Sequence, residues 1–111
     1  MWLVDSLATL KTFPDQVRQR LGFALYQAQL GQRHESAKVL HGFGTAVWHV
    51  RADDRGGTYR AVYLAQFEEA VYVLHAFQKK STRHASTPKR EVELIKQRLQ
   101  LAYKLASGKG D

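Results

Sequence analysis

The spacing of apolar positions changes twice along this chain, dividing it into helical ends around a strand-like middle. Between residues 14 and 31, Val17, Leu21, Ala24, Leu25 and Ala28 recur at helical intervals, with Arg18, Gln19, Arg20 and Gln27 mostly off that stripe. This predicts an amphipathic helix. Pro14 suits its first turn, where a missing N–H costs nothing, and Gly31 is a natural stop. A shorter helix before it runs through Thr12, with Asp5 or Ser6 as the capping side chain. Near the other end, Val92, Ile95, Leu99 and Ala102 form the apolar face of a last helix, opened by Thr87 and Pro88. Its other face carries Lys89, Arg90, Lys96, Gln97 and Arg98.

The middle is rich in aromatic and β-branched residues. Val47–Arg51, Thr58–Phe67 and Ala70–Gln78 read as three strands. The glycine-rich turn from Ala52 to Gly57 makes the first two a hairpin, and Glu68-Glu69 makes the next turn. Ala70–Gln78 is the most apolar run, which predicts a central strand buried on both faces. Trp2–Val4 reads as a very short strand. From Gln32 to Phe43 the signal is weak: Ala37, Leu40 and Phe43 fit one side of a helical turn or a packed loop. The expected fold class is therefore α+β, a small antiparallel sheet with two helices before it and one after. The sheet is a three-stranded meander plus a short N-terminal strand. One domain is expected over residues 1–106, with 107–111 as a disordered tail.

Charge changes this picture from a fold to a partner. Seventeen Lys and Arg against ten Asp and Glu give a formal +7 and a pI near 9.9. So basic a small domain points to a polyanion: nucleic acid, an acidic protein or an anionic membrane surface. No stretch approaches the roughly 20 apolar residues a membrane helix needs. MWLVDSL has neither a basic leader nor a long apolar core, so no secretory signal is expected. The absence of cysteine excludes disulfides, thiolate metal sites and cysteine nucleophiles, and fits a cytoplasmic protein. No histidine pair has the spacing of a helical metal site, so neither metal nor cofactor is expected.

The candidate chemistry lies at the strand ends. Arg51 ends one strand, Arg60 begins the next, and Lys79 and Lys80 end the third. A meander gathers these cations toward one region of the sheet, suited to holding a phosphodiester backbone. The same residues also read as solvated strand ends that discourage edge pairing. His75, inside the third strand, is either a proton carrier or a hydrogen-bonded core histidine. Tyr59 and Phe77, next to cations, are possible stacking surfaces for bases, although aromatics alternating along strands are usually core.

The run GTYRAVYLAQFEEAVYVLHAFQKKSTRHASTPKREVELIKQRL resembles the RelE/ParE toxin superfamily, specifically its phage-derived, HigB-like branch. The residues that carry the resemblance are Gly57-Thr58-Tyr59-Arg60 and Val73 through Ser81, followed by the Thr87-Pro88 helix start. Leu40–Phe43 and a strand ending in Val50-Arg51 also fit it. The first strand, only Trp2–Val4, is shorter than in relatives. The resemblance implies the toxin of a type II toxin–antitoxin pair, an endoribonuclease that cuts messenger RNA on the ribosome and stops translation. On the residues' own chemistry the catalytic set is Arg60, Lys79, Lys80 and His75, the last being the central residue with a suitable pKa, and Arg51, Tyr59, Phe77, Lys89 and Arg90 would contact RNA. The resemblance itself matches Arg51, Arg60, Lys79 and Lys80 to the family's basic positions, with Tyr59 and Phe77 beside them. It also implies a cognate antitoxin, with a helix-turn-helix domain through which alone the pair would meet operator DNA. Two other readings stay open at this point: a ParE-type gyrase poison, which needs no nuclease cluster, and a non-catalytic nucleic-acid-binding domain.

Overall fold

The chain forms α1 (Ser6–Lys11), α2 (Asp15–Gln29), β1 (Lys38–Val39), β2 (Val47–Asp54), β3 (Gly57–Phe67), β4 (Ala70–Lys79) and α3 (Lys89–Ser107). This is a computed structural model that describes residues 1–44, 46–67, 70–79 and 87–108, with backbone alone at 66 and 67. The expected Glu68-Glu69 turn, Lys80, the loop over 81–86 and tail residues 109–111 lie outside the described residues.

The four strands form one antiparallel sheet in the order β1-β2-β3-β4. Successive side chains on a strand point to opposite faces, and each face has its own core. On one side, Leu10 of α1, Phe13 just after it, and Val17, Leu21, Ala24 and Leu25 of α2 pack on Val50, Ala52, Tyr59, Ala61 and Tyr63. On the other, Ile95, Leu99 and Ala102 of α3 pack on Val47, Val62, Leu64, Leu74 and Phe77. The helical periodicities read from sequence are these two buried stripes. No helix among the described residues is long and apolar enough to cross a membrane.

Two expectations are corrected. First, β4 is an edge strand, not a central one. It is buried because helices cover both faces and the N-terminal segment covers its outer edge. The Leu3 N–H donates to the Val73 carbonyl (3.0 Å) and the Val73 N–H to the Met1 carbonyl (2.8 Å). The Met1 ammonium donates to the Val71 carbonyl at 2.6 Å. The expected N-terminal strand is thus a single parallel bridge, Trp2 to Val73. Second, the fourth strand is β1, from the segment whose pattern was weakest. It pairs Lys38 with His49 and Val39 with Trp48. Two exposed residues carry too little periodicity to be read as a strand.

The hairpin between β2 and β3 is tighter than expected: Asp54 pairs with Gly57, leaving Arg55-Gly56 as the turn. Gly57 has φ +133°, a conformation open to glycine. Pro14 and Pro88 stand just before α2 and α3, and Gly31 follows α2 with φ +78°. Asp5 precedes α1 but makes no capping bond; its carboxylate pairs instead with Arg98 on α3.

Candidate functional site

Register brings the strand-end cations together. Arg51 lies opposite Arg60, and Arg60 opposite Phe77; one step along, Asp53 faces Thr58 and Thr58 faces Lys79. In the other direction, Lys38 faces His49, which faces Val62 and then His75. Since pairs in register share a face, Lys38, His49, Arg51, Arg60 and Lys79 all lie on the α3 side of the sheet. A groove of about 430 Å³ opens there, lined by Glu35, Ser36, Lys38, His49, Arg51 and Arg60. The loop at its rim is pinned to β2, because the Arg51 N–H donates to Ser36 Oγ at 3.2 Å.

Arg60 has an unusual position in this groove. Its Nε is buried and has no hydrogen-bond partner. Its Nη1 lies 3.4 Å from His49 Nδ1, a long contact. Burial first, and then the charge of Arg51, pull the guanidinium below its ordinary value, with Asp53 opposing weakly. Arg51 has some compensation, with Nε 3.8 Å from Asp53 Oδ1, and that carboxylate also accepts from the Thr58 hydroxyl at 3.0 Å. Lys79 is held below its ordinary value by desolvation and then by Arg60. A guanidinium with an unmet donor among like charges would gain by binding an anion, whose oxygens accept where neighbouring cations cannot.

His49 responds to the same field. Desolvation, then Arg60, Lys38, Arg51 and Lys79, lower it from 6.5 to about 4. It is therefore a neutral imidazole at pH 7. Because a guanidinium only donates, the Nδ1 facing Arg60 carries a lone pair and the proton sits on Nε2.

The other residues expected from sequence lie elsewhere. His75 is 6% exposed. Arg98 Nη1 donates to its Nδ1 at 2.8 Å, so its Nε2–H donates to Glu91 Oε1 at 2.6 Å. Both nitrogens are occupied in a network joining β4 to α3, so the core-histidine reading describes it better than that of proton carrier. A β-bulge contributes to this: Val62 pairs with His75 and Tyr63 with Val73, leaving Leu74 without a partner and both Leu74 and His75 toward α3. Tyr59 is buried on the opposite face, its ring 4.8 Å from that of Phe13. Phe77 is on the cationic face but buried, stacked on His75 at 5.4 Å. Lys89 and Arg90 are exposed in the first turn of α3, and neither lines the groove among the described residues.

Four groove residues were not singled out from sequence: Glu35, Ser36, Lys38 and His49. His49 stands two residues before Arg51, hence on the same strand face, and that alternation was the available signal. Lys38 had none, since β1 was not legible. Among the described residues no three His, Asp or Glu side chains are gathered closely enough to hold a metal ion. No curated protein and no solved structure matches the chain. The family model for Phage derived protein Gp49-like (DUF891) matches residues 8–100, and the chain belongs to that family.

Proposed function

We propose that this protein is the toxin of a type II toxin–antitoxin pair and acts in the cytoplasm as a metal-independent endoribonuclease on ribosome-bound messenger RNA. Membership of the Gp49-like family is consistent with a toxin of this kind. The observation that carries the nuclease reading is Arg60, whose buried Nε has no partner in a groove walled by Lys38, His49 and Arg51. A phosphodiester in the groove would supply acceptors to that donor and relieve repulsion among the cations.

RNA needs little more than this for cleavage. Its 2′-oxygen attacks the adjacent phosphorus in line, and prearranged cations hold the backbone and stabilise the charge gained in the transition state. Arg60 takes the transition-state charge; Arg51, Lys38 and Lys79, with Lys80 beside it in sequence, grip the flanking phosphates. A free cationic groove also calls for neutralisation, and complementary charge speeds and directs association. The partner is a small antitoxin carrying a helix-turn-helix domain, which would cover the groove or block ribosome entry from the helices.

The test is expression of the chain alone, followed by mapping of transcript ends. New internal 5′ ends in translated messages together with growth arrest are expected. Intact messages with DNA breaks and an SOS response would overturn the nuclease reading in favour of a gyrase poison. Failure of the adjacent gene product to co-purify or to relieve arrest would remove the antitoxin.

A further inference from the structure

We propose that His49 is the proton acceptor for the attacking 2′-hydroxyl, its Nδ1 lone pair being uncovered when Arg60 turns from the imidazole to the phosphate. This rests on the RNA-cleavage reading and assigns its missing proton carrier.

The geometry supports His49 over the other histidine on this face. His75 has both nitrogens in short bonds, at 2.6 and 2.8 Å, and belongs to the core. His49 lines the groove, and its side-chain hydrogen-bonding contact among the described residues is the 3.4 Å approach to Arg60. That contact uses the nitrogen that would accept a proton. Nδ1 therefore stands beside the guanidinium that would hold the scissile phosphate, within reach of that phosphate's 2′-hydroxyl neighbour. The charged groups facing the ring come from every element around it: Glu35 before β1, Lys38 on β1, Arg51 on β2, Arg60 on β3 and Lys79 on β4. In the free protein desolvation first, and then these cations, disfavour protonation of the ring. A phosphate entering the groove cancels part of that field, so the ring becomes more basic when the substrate arrives.

The step balances as a transesterification. The 2′-oxygen gives its proton to Nδ1 and bonds to phosphorus, and the bond from phosphorus to the 5′-oxygen breaks. The departing 5′-oxygen takes a proton from water, and the imidazolium returns its proton to the hydroxide so formed. The products are a 2′,3′-cyclic phosphate and a 5′-hydroxyl end.

The experiment follows single-turnover cleavage of a labelled message on programmed ribosomes against pH, for the full chain, His49→Gln and His49→Ala. Loss of general-base assistance should slow His49→Gln by about 10² or more with RNA affinity nearly unchanged. The acid limb of the wild-type profile should vanish in that variant, and added imidazole should accelerate His49→Ala. In parallel, NMR titration of the His49 ring in the wild-type chain should show its midpoint rising when inorganic phosphate is added. Wild-type cleavage with His49→Gln equally fast and the acid limb intact would overturn the assignment alone. A midpoint indifferent to phosphate would also count against it. A wild-type chain that cleaves no RNA would overturn the assignment together with the nuclease reading.

Discussion

Replacing Arg98 with Met should cost this fold several kcal/mol without touching the chemistry. Arg98 is 7% exposed and joins three parts of the chain. Its Nη1 donates to His75 Nδ1 at 2.8 Å and to the Leu74 carbonyl at 3.2 Å, at the bulge in β4. Its Nη2 lies 2.8 Å from Asp5 Oδ1, at the start of α1. Methionine keeps most of the stem and removes all three contacts. The Asp5 pair is worth little, about 0.5 kcal/mol, because that carboxylate is 59% exposed. The larger loss is at the buried acceptors. An imidazole nitrogen left without a donor costs about 1–3 kcal/mol, and the Leu74 carbonyl adds about 1 kcal/mol. The guanidinium's own desolvation, no longer suffered, offsets part of this. A net loss of about 3 kcal/mol remains. For 111 residues an unfolding entropy of about 2.1 cal/mol/K each makes that roughly a 13 °C fall in Tm. Differential scanning calorimetry of Arg98→Met and Asp5→Ala is the assay, with a drop of only about 2 °C expected for the second. An Arg98→Met melting point within 3 °C of wild type would refute the reasoning, as would an equal loss for Asp5→Ala. Well below its Tm, Arg98→Met should still cleave RNA, since this network lies away from the groove.

Arg60→Ala should lower cleavage by about 10²–10³ yet leave Tm unchanged or slightly higher, because it removes an unsatisfied donor and like-charge repulsion; parallel rate and melting measurements check both. Lys38→Ala should weaken RNA binding uniformly across sequences and reduce the slope of log affinity against log salt by about 0.7, read from filter binding at several salt concentrations. His49 stays neutral in the fold down to about 4, below its ordinary 6.5, so the unfolded chain takes up the proton first as pH falls. Its contribution is therefore full above pH 6.5 and lost between there and about 4. That window corresponds to roughly 3 kcal/mol for a buried ring and about 1.5 kcal/mol for this partly exposed one, seen as a steeper acid loss in urea melts than for His49→Gln. Val4 is exposed with φ +53°, strained for a β-branched residue, so Val4→Asn should raise stability by about 1 kcal/mol in the same melts.

Long-period signals were legible and short ones were not. The stripe from Val17 to Ala28 and that from Val92 to Ala102 had enough turns to declare their faces; their middles are buried as read, their end residues Ala28 and Val92 are half-buried, and Arg98, read on the polar face, is buried instead. The β2–β3 hairpin was declared by its glycines and by aromatic and β-branched flanks. β1 has two residues, and its pairing is decided by β2 and not by any pattern of its own. The edge position of β4 was hidden for a different reason. An edge strand covered on its open side by Met1–Leu3 has the composition of a central one, since composition reports burial and not neighbours. The candidate site divides similarly. Arg51, Arg60 and Lys79 follow from strand ends in a meander, whereas the separation of Tyr59 from Arg60 required knowing which face each alternation served.

The two faces of the sheet explain why the groove lies where it does. On the α1–α2 side the strands are apolar through the middle of the sheet: Trp48, Val50 and Ala52 on β2, Tyr63, Ala61 and Tyr59 on β3. Helices pack on that stretch, where charge would be costly, and the polar side chains of this face, Asp54 and Gln78, stand at the hairpin end. The α3 side instead changes character along the strands. β2 reads Val47, His49, Arg51, Asp53; β3 reads Leu64, Val62, Arg60, Thr58; β4 reads Leu74, His75, Phe77, Lys79, with His75 tied to α3 by its hydrogen bonds. Among the described residues, α3 packs on the apolar end through Ile95, Leu99 and Ala102. The polar end begins where that packing stops, and the transition falls between Val62 and Arg60, one turn of the pleat. Arg60 is therefore rooted beside a rigid core while its guanidinium stands in the groove. Moving the charge two residues toward Val62 would bury it beneath α3, and moving it two toward Gly57 would place it at Thr58, beside the hairpin turn and away from that core. The position that combines anchorage with an unmet donor is the one this sheet has filled with arginine.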